Sequence, residues 1–332
     1  SYTMWNIQRA FALLVFIGGS FILNAQDGLP LQRGERLYQS ALELMAKKQF
    51  GAARKLFDEY ASTASDHRKL SSDYYSAICA LHLYHRDGEK KLEQFIARNP
   101  DHALSSIAYF EMANFYYQEK NYGRAVVNYS KANFSVLSSE QQNTGRFRWG
   151  YSHFNLKNLK ESNDQFNNIK AQGGTYGPAA SYYAGFAEYQ QGDYENALID
   201  FKRAEGNPAY ATVVPSLIGN VLYRQRKYDE VISYAASIKS RNGIKNADEL
   251  ALLVAEAHYR KKDFKTATIS YEQYLTGKEL QSDKGVLLRA GHSAYLSSSS
   301  EKAAAYLKQA ALATDSTGYF ASYYLGSLYL KS

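Results

Sequence analysis

The chain has 332 residues, of which 45% are hydrophobic and 21% are charged, and this composition excludes an intrinsically disordered chain. Its net charge of +7 comes from 39 basic and 32 acidic residues, so the surface favours anions mildly without indicating a particular partner. The single cysteine, Cys79, excludes an intramolecular disulfide, so packing alone must hold the fold together.

The N-terminus predicts a secretory signal peptide over residues 1–26. Arg9 precedes an apolar run from Ala10 to Leu23, and Ala25 stands close to the first acidic residue, Asp27. The run is short for a membrane span, which needs about 20 apolar residues. An uncleaved anchor and a buried helix are the alternatives. After cleavage of the signal we expect no stable transmembrane span.

From about residue 35 onward the chain repeats itself. A small residue is followed nine positions later by an aromatic residue, and an alanine and a second aromatic residue come after it. The pattern is clearest in GFAEYQQGDYENALIDFKRA from Gly185 and in ANFYYQEKNYGRAVVNYSKA from Ala113. The small residues, called anchors here, recur at intervals of 34–38 residues: Ala41, Cys79, Ala113, Gly150, Gly185, Gly219, Ala255, Gly291 and Gly326.

This pattern predicts pairs of antiparallel helices joined by a tight turn. A small anchor in the first helix lets the second helix approach closely. One pair cannot bury its apolar face alone, so the pairs must stack. Cys79 stands at an anchor, which predicts a small buried residue and not a reactive thiol. The aromatic residues expected to fill the space between successive pairs are Phe57, Phe95, Tyr129, Phe166, Phe201 and Tyr271.

The pattern resembles the tetratricopeptide repeat (TPR) family, whose unit carries small, aromatic and alanine positions at these offsets. The C-terminal stretch YYLGSLYL also carries the resemblance. It implies an all-α fold, a right-handed α-solenoid of about eight helix–turn–helix units plus a truncated ninth. The solenoid domain is predicted over residues 27–332 and is expected to continue beyond them. We expect looser units where the pattern fails, at Gly88, at Leu159 and Ser162, and at the serine run 297–300.

The sequence offers no catalytic motif. Gly-x-Ser-x-Gly, His-Glu-x-x-His and cysteine–histidine arrangements are missing, and the glycine-rich stretch 173–177 reads as a connector because no Gly-Lys-Ser/Thr follows it. His82 and His85 are spaced for one helix face, with His67 nearby, but no third metal ligand stands at a suitable spacing. We therefore predict a protein that is not an enzyme and that uses no cofactor and no metal ion.

The resemblance also implies a partner-binding groove, because first-helix residues line the inner face of TPR superhelices. Positions close to the anchors carry aromatic residues and few charges, and they include Phe110 and Glu256. Large rings favour interfaces, so the groove would suit an extended or helical peptide. The alternative for each tyrosine is partly buried packing within the fold. The predicted groove residues are Tyr117, Tyr151, Phe154, Tyr182, Phe186, Tyr189, Asn220, Tyr223, Tyr259 and Tyr295.

Basic residues gather where the first helices are expected to end, as at Arg224, Arg226, Lys227 and Arg260. Cations suit the negative end of a helix dipole, which gives these residues a structural role. The alternative is a basic edge that faces an acidic partner, an anionic lipid or a glycan.

Together these features favour a non-enzymatic scaffold of the bacterial cell envelope, in the periplasm of a Gram-negative organism, that binds other envelope proteins or peptides. The chain looks similar to large exported TPR proteins of the Tol–Pal and outer-membrane-assembly type. Glycan is the other partner class that the tyrosines would suit. A further alternative is a targeting or glycan-binding arm of a wall-modifying enzyme whose catalytic domain follows Ser332. Nucleic acid is not an expected partner of an exported chain.

Overall fold

The computed structural model describes residues 28–331, and the signal peptide predicted over residues 1–26 lies outside them. Within the described range the chain forms 17 α-helices and no β-strand, which confirms the predicted all-α class. None of these helices is long and apolar enough to cross a bilayer. The chain divides after Ser152 into two compact units, named here the N-terminal unit and the C-terminal unit.

The N-terminal unit is built from helix pairs. Its helices are α1 (Gly28–Ala46), α2 (Phe50–Thr63), α3 (Arg68–His82), α4 (Gly88–Arg98), α5 (Ala103–Gln118), α6 (Tyr122–Lys131) and most of α7 (Ser139–Asn155). Helix α1 packs on α2, α3 on α4 and α5 on α6. The short turn within each pair makes its two helices antiparallel. Contacts between α2 and α3 stack the first pair on the second, as a repeat array requires.

The C-terminal unit follows the same plan. Its helices are α8 (Leu159–Phe166), α9 (Gly177–Gln191), α10 (Tyr194–Glu205), α11 (Pro215–Arg224), α12 (Tyr228–Ser237), α13 (Ala247–Arg260), α14 (Phe264–Leu275), α15 (Lys284–Leu296), α16 (Ser300–Ala310) and α17 (Ser316–Lys331). Helices α9 to α16 pack as four successive pairs, and α17 packs on α15 and α16. First helices also contact the next first helix, as α11 contacts α13.

Two glycine anchors, Gly185 and Gly291, allow the close approach of the second helix that was predicted for them. A Cβ atom added at Gly185 would lie 2.8 Å from the Phe201 ring, and one added at Gly291 would lie 2.7 Å from Leu307. Cys79 is fully buried, and burial raises the pKa of its thiol to about 12, which confirms its prediction as a packing residue. The predicted filler residues Phe57, Phe95, Tyr129, Phe166, Phe201 and Tyr271 are all buried, with exposed fractions of 7% or less.

A residue with positive φ ends the first helix of each pair, and it is rarely glycine. At Lys120, for example, the backbone N–H donates to the Tyr117 carbonyl at 3.0 Å, and the next N–H donates to the Tyr116 carbonyl at 2.8 Å. These two bonds form the Schellman arrangement that terminates an α-helix. These backbone hydrogen bonds therefore define the turn, and a glycine is not required for it. The residues seven positions after their anchors, with φ between 57° and 79°, are Lys48, Lys120, Lys157, Gly192, Arg226, Lys262 and Ser298.

The units that depart from the sequence pattern still form helices at the expected places. Gly88 begins α4, where an added Cβ would lie 2.6 Å from the backbone nitrogen of Leu81, so glycine lets α4 approach α3. Helix α8 is only eight residues long, and Ser162 within it is fully buried. In the serine run, Ser298 has φ of 61° and closes the turn as its counterparts do. The sequence pattern therefore varies more from repeat to repeat than the helix–turn–helix structure does.

Candidate functional site

Each of the ten predicted groove residues is half-buried. Tyr117 and Tyr151 belong to the N-terminal unit, and the other eight belong to the C-terminal unit. None of the ten is sealed in the core and none is fully exposed. Each side chain therefore packs against the fold on one side and meets solvent on the other, so packing and partner binding remain compatible roles for the same residue.

A recurring pair of rings explains what the buried side of these tyrosines contacts. The aromatic residue near the end of a first helix packs edge-on against the aromatic residue that begins the second helix. The ring centroids lie 5.4–6.2 Å apart in four copies, within the range that favours aromatic pairs. The copies are Tyr117–Tyr122, Tyr189–Tyr194, Tyr223–Tyr228 and Tyr259–Phe264.

Two of the predicted residues line an open pocket within the C-terminal unit. Tyr182 and Phe186 project from α9, and their ring centroids are 5.1 Å apart. The pocket has a volume of about 210 Å³ and is completed by residues of α11, α13 and the segments before them: Val213, Ser216, Leu217, Lys245, Asn246 and Glu249. Asn220, a third predicted residue, donates through Nδ2 to Glu249 Oε1 at 2.7 Å. Three predicted residues thus meet at this pocket or its rim.

The tyrosines four positions after the anchors of the C-terminal unit are called the row here: Tyr189, Tyr223, Tyr259 and Tyr295. The hydroxyl groups of several of them accept hydrogen bonds from cations of the following first helix. Arg260 Nε lies 3.4 Å from the Tyr223 hydroxyl, and Lys331 Nζ lies 2.7 Å from the Tyr295 hydroxyl. Arg224 forms a similar hydrogen bond with Tyr189, and this bond raises the pKa of the Arg224 guanidinium. A basic residue five positions after an anchor therefore reaches the tyrosine four positions after the preceding anchor.

Phe110 does not belong to an open face, contrary to the sequence-based expectation. Its side chain is only 3% exposed and packs edge-on against Tyr129 and Phe134, with centroid separations of 6.3 Å in both cases. The short 310 turn Phe134–Val136 supplies the second of these rings. This connector covers the position that the repeat pattern alone would leave open.

Glu256 is likewise buried, at 6% exposure, instead of lining a groove. Arg289 on α15 reaches back to it on α13, and Arg289 Nε and Nη2 donate to the carboxylate at 2.6–2.9 Å. Such a bidentate pair is a strong, directional contact. It joins the first helices of two successive repeats. Burial also raises the pKa of the neighbouring Tyr271 hydroxyl.

An equivalent cluster occupies the N-terminal unit. Arg148 Nη1 donates to Asn114 Oδ1 at 3.0 Å, and the Tyr129 hydroxyl donates to the same oxygen at 2.7 Å. Neither Arg148 nor Arg289 was predicted as a functional residue from the sequence, although each begins the same motif, Arg-x-Gly-x-Ser. In both copies the buried serine donates to the arginine carbonyl, at 2.7 and 2.9 Å. The motif occurs at residues 148–152 and 289–293.

A buried charged cluster joins three elements of the C-terminal unit. Lys170 Nζ lies 2.8 Å from Asp200 Oδ2 and 3.6 Å from Glu188 Oε1. The other Glu188 oxygen has no hydrogen-bond partner among the described residues. Burial, with a smaller effect from Asp200, raises the pKa of Glu188 to about 8. Burial therefore favours the neutral, protonated form of the Glu188 carboxyl.

The paired histidines make separate contacts. His82 stacks on Phe50 with ring centroids 4.3 Å apart, and burial lowers the pKa of its imidazole. His85 contacts the Arg54 side chain through Nδ1. Within residues 28–331, no three histidine, cysteine or carboxylate side chains converge as a metal ion would require.

Comparison with known proteins gives structural similarities at low identity. No family model and no curated protein matches the chain. The C-terminal part of a TPR repeat-containing protein from Cytophaga hutchinsonii is 17% identical, with a TM-score of 0.38 over 87% of this chain and 99% of that chain. Yeast Tom70 is 13% identical, with a TM-score of 0.39 over 96% of this chain and 68% of that chain. The TPR2AB-domain:pHSP90 complex of yeast Sti1 is 11% identical, with a TM-score of 0.38 over 84% and 98%. All three TM-scores lie below 0.5, so these likenesses assign neither a partner nor a function.

Proposed function

We propose that the chain is a non-enzymatic protein-interaction scaffold whose C-terminal unit binds a segment of a partner protein. The pocket lined by Tyr182 and Phe186 is the observation that carries this proposal, because two predicted interface residues border an open volume of about 210 Å³. The half-buried row that continues through Tyr223, Tyr259 and Tyr295 supports it. The resemblance of the repeat pattern to the TPR family favours the same class of function.

The chemistry of the pocket suits an apolar side chain of an extended or helical peptide. Tyr182, Phe186, Val213 and Leu217 supply apolar surface. The polar residues of the lining are Ser216, Lys245, Asn246 and Glu249. Rings that are already packed lose little conformational freedom on binding, so they provide contact area at low entropic cost. We propose that an apolar or aromatic residue of the partner enters this pocket and that flanking backbone lies along the row.

Site-specific photocrosslinking tests this proposal. A photoreactive phenylalanine analogue placed at Leu217 would report on the pocket, and the same analogue at Ile199 would serve as control, because Ile199 is 51% exposed on the second helix α10. We expect a discrete crosslinked partner from position 217 and none from position 199. Synthetic peptides tiled over that partner should bind the purified chain, and Leu217→Glu should weaken the binding at least about tenfold, corresponding to about 1.4 kcal/mol.

The control substitution Ile199→Glu should leave peptide affinity unchanged, since that side chain does not line the pocket. Identical crosslinked products from positions 217 and 199 would refute the pocket as the partner site. A peptide that binds wild type and Leu217→Glu with equal affinity would refute it as well. A glycan that competes with every bound peptide would replace the proposal with the glycan-binding alternative.

We further propose that the protein is exported and that its partners are proteins or peptides of a bacterial cell envelope. The apolar run behind Arg9, with the small residue Ala25 before the first acidic residue, supports export. Fractionation of cells that express the gene with a C-terminal tag tests the location. Recovery of the tagged chain with cytoplasmic markers would overturn the proposal.

A further inference from the structure

A cleft with three arginines and two tyrosines lies where α11 turns into α12 and α13 ends. It has a volume of about 440 Å³ and is lined by Tyr223, Arg224, Arg226, Tyr228 and Arg260, named here the cationic cleft. This volume lies within the range of small-molecule sites, roughly 300–1,000 Å³. The cleft therefore has room for a small ligand and not only for a single ion.

The three guanidinium groups are not neutralised by the chain itself. Within residues 28–331, none of them forms an ion pair, and the nearby carboxylates are engaged elsewhere. Glu256 pairs with Arg289, and Asp229 pairs with Lys261. The three guanidinium groups are exposed, so an anion can reach all of them from solvent. Their positive charges attract an anion to the cleft.

Helix-dipole stabilisation accounts for only part of this arrangement. Arg224 and Arg260 lie in the last turns of α11 and α13, where a positive charge is favoured. Arg226 lies outside both helices, in the left-handed turn conformation with φ of 59°. Glycine would adopt this conformation at lower cost, yet a cation occupies the equivalent turn of most repeats; Arg226 differs from the others in lining the same cleft as Arg224 and Arg260.

The tyrosines add donors to the same cleft. Because the Tyr223 hydroxyl accepts a hydrogen bond from Arg260 Nε, its own O–H proton is free to point toward a ligand. The Tyr223 and Tyr228 rings meet edge-on with centroids 5.4 Å apart, and both rings are half-buried. The cleft thus combines guanidinium and hydroxyl donors with ring surface.

We propose that the cationic cleft binds a phosphate monoester carried by a small ligand such as a phosphorylated sugar. A phosphate monoester carries about −1.5 to −2 charges at neutral pH and offers three acceptor oxygens, whereas a carboxylate carries one charge and two oxygens. Arginine forks match phosphate oxygens in geometry. The ring surface and the remaining volume suit the carrier of the phosphate. This site is distinct from the pocket at Tyr182 and does not depend on peptide binding.

Calorimetric titration of the purified chain tests the proposal with four probes: glucose 1-phosphate, inorganic phosphate, glucose and acetate. We expect glucose 1-phosphate to bind saturably, and glucose and acetate not to bind. Arg226→Gly removes one cation of the cleft and suits the left-handed turn, so it should weaken binding without loss of stability. Lys262→Gly is the matched control, because it removes a cation at the equivalent turn of the next repeat, outside the cleft.

The double variant Arg224→Gln/Arg260→Gln should weaken binding at least about tenfold, since two charge-assisted contacts are lost. Arg86→Gln/Arg98→Gln, two exposed arginines of the N-terminal unit, controls for net charge and should have no effect. Equal affinity for inorganic phosphate and glucose 1-phosphate would identify free phosphate as the source and retain the site.

Absence of saturable binding up to about 10 mM of every phosphate probe would overturn the proposal. Equal binding of acetate would also overturn it, as would equal losses in the Arg226→Gly and Lys262→Gly variants. Either result would leave the arginines as an unspecific positive surface.

Discussion

At the scale of single residues, tyrosine is the side chain that this fold uses in two environments at once. Tyr223 packs edge-on against Tyr228 within its own helix pair, and its hydroxyl accepts a hydrogen bond from Arg260 of the next pair. The ring thereby contributes to stability while one edge stays in solvent. The same ring can serve packing and recognition only because its apolar body and polar tip are separated.

Glu188 should make the stability of the C-terminal unit depend on pH. Its folded-state pKa of about 8 exceeds the ordinary glutamate value of 4.5, so the folded chain retains a proton that the unfolded chain releases. The free energy of unfolding therefore falls as the pH rises from the ordinary glutamate pKa of 4.5 to the folded-state pKa of about 8. We expect Glu188→Gln to be more stable than wild type at pH 8, with a melting temperature higher by about 2–4 °C.

Thermal melting of both chains at several pH values between 5 and 8 measures this difference. Glu195→Gln is the matched control, because Glu195 is exposed in the first turn of α10 and should not change the pH dependence. If the difference in melting temperature between wild type and Glu188→Gln stayed constant over this pH range, the Glu188 carboxyl would be ionised in the folded chain, and the prediction would be wrong.

At the scale of helices and turns, the left-handed residue after each first helix is the feature that the repeats share most regularly. Its backbone bonds end the helix and orient the chain for the second helix, and residues as different as lysine, serine and glycine occupy it. A side chain in the left-handed conformation costs about 1–2 kcal/mol relative to glycine. Most turns therefore carry a small local cost that the packed helices offset.

Substitution of these turn residues by glycine should stabilise the chain. We expect Lys120→Gly to raise the free energy of unfolding by about 0.5–1 kcal/mol, because relief of the left-handed strain outweighs the greater entropy of glycine in the unfolded chain. Urea denaturation of each variant measures the change. The reverse substitution Gly192→Ala should lower stability, since Gly192 has φ of 79° in the equivalent turn. Loss of stability in Lys120→Gly would indicate that its side chain contributes more than the backbone strain.

The helix pairs could be predicted from the sequence because close approach of two helices demands small residues at fixed offsets. Gly185 and Phe201 illustrate this, since the glycine leaves space that the ring fills. The Arg289–Glu256 ion pair could not be predicted from hydrophobic periodicity, because its members stand 33 residues apart on different helices. The pocket at Tyr182 could not be predicted either, because the connector before α13 completes it. The course of that connector depends on the left-handed conformation of Asn246, with φ of 55°, which the repeat pattern does not indicate.

At the scale of the whole molecule, each unit gains its stability from helix pairs that pack on their sequence neighbours. In such arrays most contacts are local, so a defect is expected to loosen the nearest pairs before the distant ones. Unfolding of this chain should therefore deviate from a single two-state transition when one unit is weakened.

Truncation of a core side chain in one unit should loosen the nearest helix pairs and leave distant pairs unchanged. Phe57 is fully buried on α2, and Phe57→Ala should cost about 3–5 kcal/mol. Hydrogen exchange followed by mass spectrometry should then show faster exchange in α1 to α4 and little change in α13 to α16. The counterpart Leu287→Ala, also at a fully buried position, should reverse that pattern. Faster exchange over the entire chain in both variants would show one cooperative unit instead.

The burial of Cys79 makes the chain ready for selective chemical labelling. Its thiol is inaccessible and poorly ionised near neutral pH, because burial raises its pKa to about 12. A maleimide dye should therefore leave the native chain unmodified. Cysteines introduced at two exposed turn positions, such as Lys120 and Lys157, would then be the sole attachment points for a donor and an acceptor fluorophore. Energy transfer between them could report motion without the usual step of first removing native cysteines.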